Sequence, residues 1–259
     1  MTRVARFFIR LSPFLAAVAC LDTGQDRASV PLRLAGATPS VLELASAWSV
    51  ELSRAELAFG PLYLCPGFQA GSLCEIARLE WTESAVVDGL DPSARDAGLL
   101  KGATGPVRSW MYDLGISSLL TQQQPLALSA ALELGNNSVR VEGIARNGVH
   151  AIPFLVELPV QQEEQTEVGV SVVRKSGSDR FEHDVTGDEA ALTVRFDPAG
   201  WVQDIDFDAL VEDAPCGTGA GGSGCVDQVR FAPDSQGYRA VRGALTAGER
   251  PAFEWSEGL

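Results

Sequence analysis

Histidine is scarce in this chain: His150 and His183 are the two imidazoles among 259 residues. No His-x-His, His-x-x-x-His or Gly-x-Ser-x-Gly pattern occurs, so a nucleophilic serine would have only those two side chains to draw on as an imidazole base. Hydrolases of the common kinds are therefore disfavoured. Basic residues are few as well, 20 Lys plus Arg against 34 Asp plus Glu, for a net charge of −14. The phosphate attraction that drives nucleic-acid binding would have the wrong sign. The N-terminal apolar run Leu11 to Ala19 has nine residues, broken by Ser12 and Pro13, well short of the roughly 20 needed to span a bilayer as a helix. Internal repeats of fixed period and long low-complexity tracts are missing too.

What the chain does have is an ordered use of cysteine. Arg3, Arg6 and Arg10 form a positive start without acids, Leu11 to Ala19 is an apolar core, and Ala17-Val18-Ala19 ends it in small residues before Cys20. That is the order of an export signal, placing residues 1–19 in a removable peptide. Its removal would move the net charge from −14 to −17 by taking away three arginines and no acid. The other four cysteines fall into two close pairs, Cys65 with Cys74 and Cys216 with Cys225, with eight residues inside each. Zinc ribbons and dithiol redox motifs space their cysteines two to four apart. In an oxidising compartment two local disulfides are expected, each removing about 2.5–3 kcal/mol of unfolded-state entropy on the loop-closure model. Gly217-x-Gly219-x-x-Gly222 matches a dinucleotide fingerprint in letters only, because no hydrophobic strand precedes it and no helix follows.

The segment Leu15-Ala16-Ala17-Val18-Ala19-Cys20 resembles the lipobox of bacterial lipoproteins. The resemblance implies a lipid on the Cys20 thiol and a mature chain beginning there. Ala17 stands where that family usually has Leu, and Ala17-x-Ala19 also suits a general signal peptidase. Both cuts leave Cys20 first, one giving a lipid-anchored protein and the other a soluble one with a free thiol. The pattern of a β-rich ectodomain behind a lipobox is similar to bacterial lipoproteins of uncharacterised role, with no named family matched.

Organisation follows from composition. Residues 20–46, with Gly24, Gly36 and Pro39 among polar residues, read as the lipidated N-terminus and tether, within which Val30 to Leu34 suits an edge strand. Residues 47–259 form one ectodomain, with a possible seam at the polar run 161–167. Period-two or β-rich stretches occur at Val50 to Leu52, Leu57 to Phe59, Leu62 to Leu64, Ala85 to Val87, Val107 to Tyr112, Ala127 to Leu134, Val139 to Ile144, His150 to Leu158, Val168 to Val173 and Ala191 to Phe196. Asn147-Gly148 marks a hairpin between two of them. Asp197-Pro198 starts a helix carrying Trp201 and Ile205, and Asp234 or Ser235 caps another carrying Tyr238, Val241 and Leu245 and stopping at Gly248. The expected fold is mainly β: an antiparallel β-sandwich with one or two short C-terminal helices and two local disulfides.

Chemistry-bearing candidates are sparse. Asp204, Asp206 and Asp208 would form one carboxylate row for a hard cation such as calcium if extended, whereas on a helix only Asp204 and Asp208 share a face. The preceding Asp197-Pro198 favours a solvated helix without metal. His183, between Glu182 and Asp184, reads as a solvated turn with metal ligation as the alternative, and His150 as a core-edge histidine. Trp48, Trp81, Trp110, Tyr112, Trp201 and Trp255 read as core or sheet-face residues, with a two-ring carbohydrate or peptide platform as the alternative. Together these features lead to an extracytoplasmic, lipid-anchored, non-catalytic binding or structural protein of the bacterial envelope. It would have no cofactor and would meet a membrane through its lipid and an envelope protein or polysaccharide through its domain. A calcium or transition-metal binding envelope protein is the alternative, and an enzyme of unrecognised type comes third.

Overall fold

The computed structural model describes residues 26–38, 41–67, 76–116, 126–160, 181–211, 228–248 and 250–258, and the backbone of 174–177. In chain order the strands are β1 (Arg27–Ala35), β2 (Leu42–Glu43), β3 (Ser49–Phe59), β4 (Leu62–Cys65), β5 (Leu79–Trp81), β6 (Ala85–Asp88), β7 (Arg95–Ala103), β8 (Gly105–Val107) and β9 (Ser109–Asp113). They continue as β10 (Asn137–Arg146), β11 (Ala151–Pro159), β12 (Arg174–Gly177), β13 (His183–Val185), β14 (Glu189–Arg195), β15 (Val229–Arg230) and β16 (Ala252–Glu257). Helices α1 (Ser129–Glu133), α2 (Ala199–Val202), α3 (Asp208–Val211) and α4 (Gln236–Gly243) are short.

The chain is mainly β. An eight-stranded sheet runs β12-β9-β4-β5-β7-β1-β14-β16, a six-stranded one runs β15-β11-β10-β3-β2 with β6 also on β3, and β13 pairs with β8 alone. Most pairings are antiparallel, as expected, and two, β1–β14 and β11–β15, are parallel. Side chains of both large sheets enter one core. Phe59 of β3 meets Trp81 of β5 at 6.0 Å and Tyr112 of β9 at 5.1 Å between ring centroids. No helix among the described residues is long and apolar enough to cross a membrane.

The hairpin is where it was expected, with β10 and β11 in antiparallel register from Val139↔Leu158 to Arg146↔Ala151. Its connection is four residues long rather than a two-residue turn. Asn147 accepts the backbone N–H groups of Val149 and His150 on its side chain, and only Gly148 adopts positive φ. The two apolar stretches around Ser53-Arg54 are one strand. Val50 is buried at an even position and Ala55, Leu57 and Phe59 at odd ones, and the register shift opposite Glu142/Gly143 absorbs the change of phase.

Several expectations are corrected. The stretch read as tether contains β1, an interior strand between β7 and β14, with Ala28, Val30, Leu32 and Leu34 buried at period two. Val107 to Tyr112 is two strands, β8 and β9, separated at Arg108. Ala127 to Leu134 contains helix α1 rather than a strand. Its small Ala130 and Ala131 pack against Ala58, Ser84 Oγ accepts from Ala130 N–H, and Gly135 and Asn136 end it with positive φ. The region from Pro198 to Ala209 is not one helix but α2 and α3. Between them Ile205 and Phe207 are both buried at period two, and the Gln236 amide bridges the Asp204 carbonyl and the Asp206 N–H. At the C-terminus, α4 starts as expected, with Ser235 Oγ accepting from Tyr238 N–H. The stretches 161–167 and 168–173 lie outside the described residues.

Candidate functional site

Cys20, Cys74, Cys216 and Cys225 lie outside the described residues. Cys65 ends β4 and is buried, with its carbonyl accepting from Arg108 N–H.

His183 is not in a solvated turn. It sits in β13, three-quarters buried, stacked on Trp255 with centroids 4.0 Å apart, and its Nε2 lies 3.2 Å from Glu189 Oε1. The same Glu189 carboxylate accepts from the Thr186 and Gly187 backbone N–H groups at 2.8 and 3.0 Å and from Thr186 Oγ1 at 3.1 Å. Burial acts to raise its pKa, but donation from the Thr186 backbone, its own N–H, His183 and Gly187 outweighs that and holds it below the usual carboxylate range. His150 lies partly buried in the hairpin connection.

Asp204, Asp206 and Asp208 are all exposed, but two of them are engaged within the fold. Asp206 Oδ1 accepts from the Asp208 and Ala209 N–H groups and so caps α3, and Asp208 Oδ1 accepts from Trp48 Nε1 at 2.8 Å. No group of three or more metal-ligating side chains is assembled among the described residues. Trp48, Trp81, Trp110, Tyr112 and Trp201 are core residues, and Trp255 is half-buried under His183. These rings form no exposed platform among the described residues.

A different place stands out where the two large sheets meet. A cleft of ≈ 360 Å³ has Leu34 and Ala35 of β1 and Ala97 of β7 on one side, and all four residues of β6 on the other. Five carboxylates line it, from Glu56, Asp88, Asp91, Asp96 and Glu133, against the single guanidinium of Arg95. Two of the five are neutralised: Asp91 by Arg95, and Asp96 by Arg33 at 3.0 Å. Glu56 shares Arg54 at 3.7 Å with Glu142, which holds the same guanidinium at 3.2 Å. No basic side chain among the described residues lies within ion-pair distance of Asp88 or Glu133.

Backbone geometry holds this arrangement. Gly36 N–H donates to the Asp91 carbonyl and Ala37 N–H to the Gly89 carbonyl, tying the end of β1 to the loop after β6. A Cβ on Gly36 would lie 2.3 Å from the Gly89 carbonyl carbon and oxygen, so only glycine permits this approach. Glu56 and Asp88 are direct cross-strand partners in β3 and β6. Like charges so placed are destabilising. Sequence reasoning missed this site because Glu56, Asp88 and Glu133 are far apart in the chain and carry no shared spacing.

No family model matches the chain, and no curated protein matches it. Among solved structures, MbnP from Methylosinus trichosporium is similar at 13% sequence identity and a TM-score of 0.39, over 91% of this chain and 99% of that chain.

Proposed function

We propose that this chain is a non-catalytic binding or structural protein of the bacterial cell envelope, exported, held at a membrane by lipid on Cys20, and contacting an envelope component through its β domain. In this reading the two large sheets form a sandwich and Cys65–Cys74 and Cys216–Cys225 are structural staples. The observation that supports a binding role is the cleft. Three carboxylates, those of Glu56, Asp88 and Glu133, line one concavity; among the described residues Asp88 and Glu133 have no cation within ion-pair distance, and Glu56 shares Arg54 with Glu142. A domain with only a scaffolding task gains nothing from a like-charge pair that any neutral residue would relieve.

The anchor and the address are tested together by expressing the full chain in a bacterium and measuring the intact mass and detergent partitioning of the product. The expected product begins at Cys20, carries acyl chains and enters the detergent phase, and Cys20→Ala releases it to the aqueous phase. A product retained in the cytoplasm with residues 1–19 attached would contradict the reading. A soluble exported product with an unmodified Cys20 thiol would remove the anchor and leave export.

A further inference from the structure

We propose that the cleft binds an extended, lysine- or arginine-bearing peptide segment of a partner protein, which adds as a strand to the open edge of β6. The inference rests on the binding-protein reading and names its site and ligand chemistry.

Three features converge. The first is the edge. Gly89 N–H donates to the Ala55 carbonyl, and the β3–β6 register pairs Leu57 with Val87 and Phe59 with Ala85. In an antiparallel ladder alternate residues point their N–H and C=O to the same side, so Val87 and Ala85 follow Gly89 toward β3, and Val86 points its two backbone groups away. The Asp88 carbonyl, on the same outer side as Val86, is already taken by Asp91 N–H, which confirms the direction. No described residue pairs with this side of β6 as a strand. Its four residues span about 13 Å at the usual strand rise.

The second feature is charge. An added strand would run past Asp88 and Glu133, which have no cation within ion-pair distance among the described residues, and Glu56, which shares Arg54 with Glu142. Basic side chains projecting from an extended ligand would meet them, and because Asp88 and Glu133 are exposed the attraction is a salt-sensitive one. The third is the floor. Buried Leu34 and Ala35 close its base, and the partly exposed Ala85, Val86 and Ala97 present apolar surface to the alternate side chains of the ligand, the arrangement by which strand-addition sites gain specificity. A small cation alone would leave both the edge and the floor unused.

The probe is a blocked, soluble peptide of about eight residues, the length of a strand, alternating Lys with Val, and its counterpart alternating Glu with Val. Binding to the intact mature protein is followed by calorimetry. The expected result is saturable binding of the Lys peptide, weakened by salt, and none of the Glu peptide. Asp88→Asn with Glu133→Gln should weaken it by about tenfold or more. Val86→Pro should do likewise, because proline removes an N–H that β3 does not use and is tolerated at such an edge position. Thermal melts establish that each variant is folded, and the Asp88→Asn/Glu133→Gln variant should melt no lower than the parent.

Failure of the parent to bind, or binding indifferent to both variants, overturns the inference. Loss on Asp88→Asn/Glu133→Gln without loss on Val86→Pro would show that the peptide is held by charge alone and would overturn strand addition. Calcium that stabilises the protein and displaces the peptide through the same carboxylates would do the same in favour of a metal. None of these results touches the fractionation experiment above, so the envelope reading can fail or stand separately.

Discussion

Glu189 and Asp88 are both carboxylates at the ends of β-strands, yet the fold treats them in opposite ways. The Glu189 side chain is 4% exposed and receives four hydrogen bonds from Thr186, Gly187 and His183. Among the described residues Asp88 receives one, from Leu90 N–H on Oδ1, and it stands across from Glu56 with no basic side chain within ion-pair distance. The first is a structural group whose charge is fully used in closing the turn between β13 and β14. The second accepts one N–H in the loop after β6 and otherwise faces Glu56 as a like charge. That difference separates the part of the molecule that builds the domain from the part available to a partner.

The largest effect should come from the close contact that frames the cleft. Gly36→Ala places a Cβ 2.3 Å from the Gly89 backbone, and overpacking of this kind is expected to cost about 2–3 kcal/mol, read as a lowered urea midpoint. An unchanged midpoint would mean that β1 and the β6–β7 loop are not held together as described.

Next comes Glu189→Ala, which leaves the Thr186 and Gly187 donors and His183 without their acceptor and should cost about 1–2 kcal/mol. The carboxylate also sets a pH dependence. Its folded pKa lies below the ordinary value, so its contribution is complete above the unfolded carboxylate's pKa and is lost as pH falls through the folded one. Comparing acid unfolding of the parent and Glu189→Gln should show a shallower acid slope in the variant. Equal slopes would sever the charge from the turn's stability. Asp206→Ala removes the cap of α3 and should cost about 0.5–1 kcal/mol. Of these changes it is the smallest loss.

Much of the domain core was legible in the sequence because period two is visible wherever one face is buried. The β10–β11 pair and β14 were recognisable from residues such as Val139, Val141, Phe154 and Leu192, and the Ser235 cap announced α4. What was not legible had specific causes. Strand β7, Arg-Asp-Ala-Gly-Leu-Leu-Lys-Gly-Ala, buries only Leu100 fully, so it shows no alternation. Its sheet position is imposed by β1 and β5 on either side. Helix α1 was hidden because Ala127, Leu128, Ala130 and Ala131 mimic a strand until Ser84, 46 residues earlier, supplies a partner for the Ala130 N–H. The Asp204–Asp208 run alternates buried and exposed as a strand would, although it is a braced link between two helical turns.

The site was the least legible part. Glu56, Asp88 and Glu133 come from β3, β6 and α1, and only the β3–β6 register makes Glu56 and Asp88 neighbours. His183 was misread for a related reason: its charged flanks, Glu182 and Asp184, suggested solvent, while the stacking partner Trp255 and the acceptor Glu189 come from β16 and β14. Long-range pairing decides both, and local composition carries no record of it.

The claim that cleft carboxylates are held against the fold's own stability is tested most directly by melting Asp88→Asn and Glu189→Gln beside the parent at neutral pH without ligand. Asparagine keeps an oxygen to accept from Leu90 N–H while removing the repulsion with Glu56, so Asp88→Asn should raise the melting temperature by about 1–2 °C. Glu189→Gln should lower it by several degrees, about 3–6 °C. Opposite signs are the predicted result. A fall in both would show that Asp88 is a structural group like Glu189 and would contradict the account.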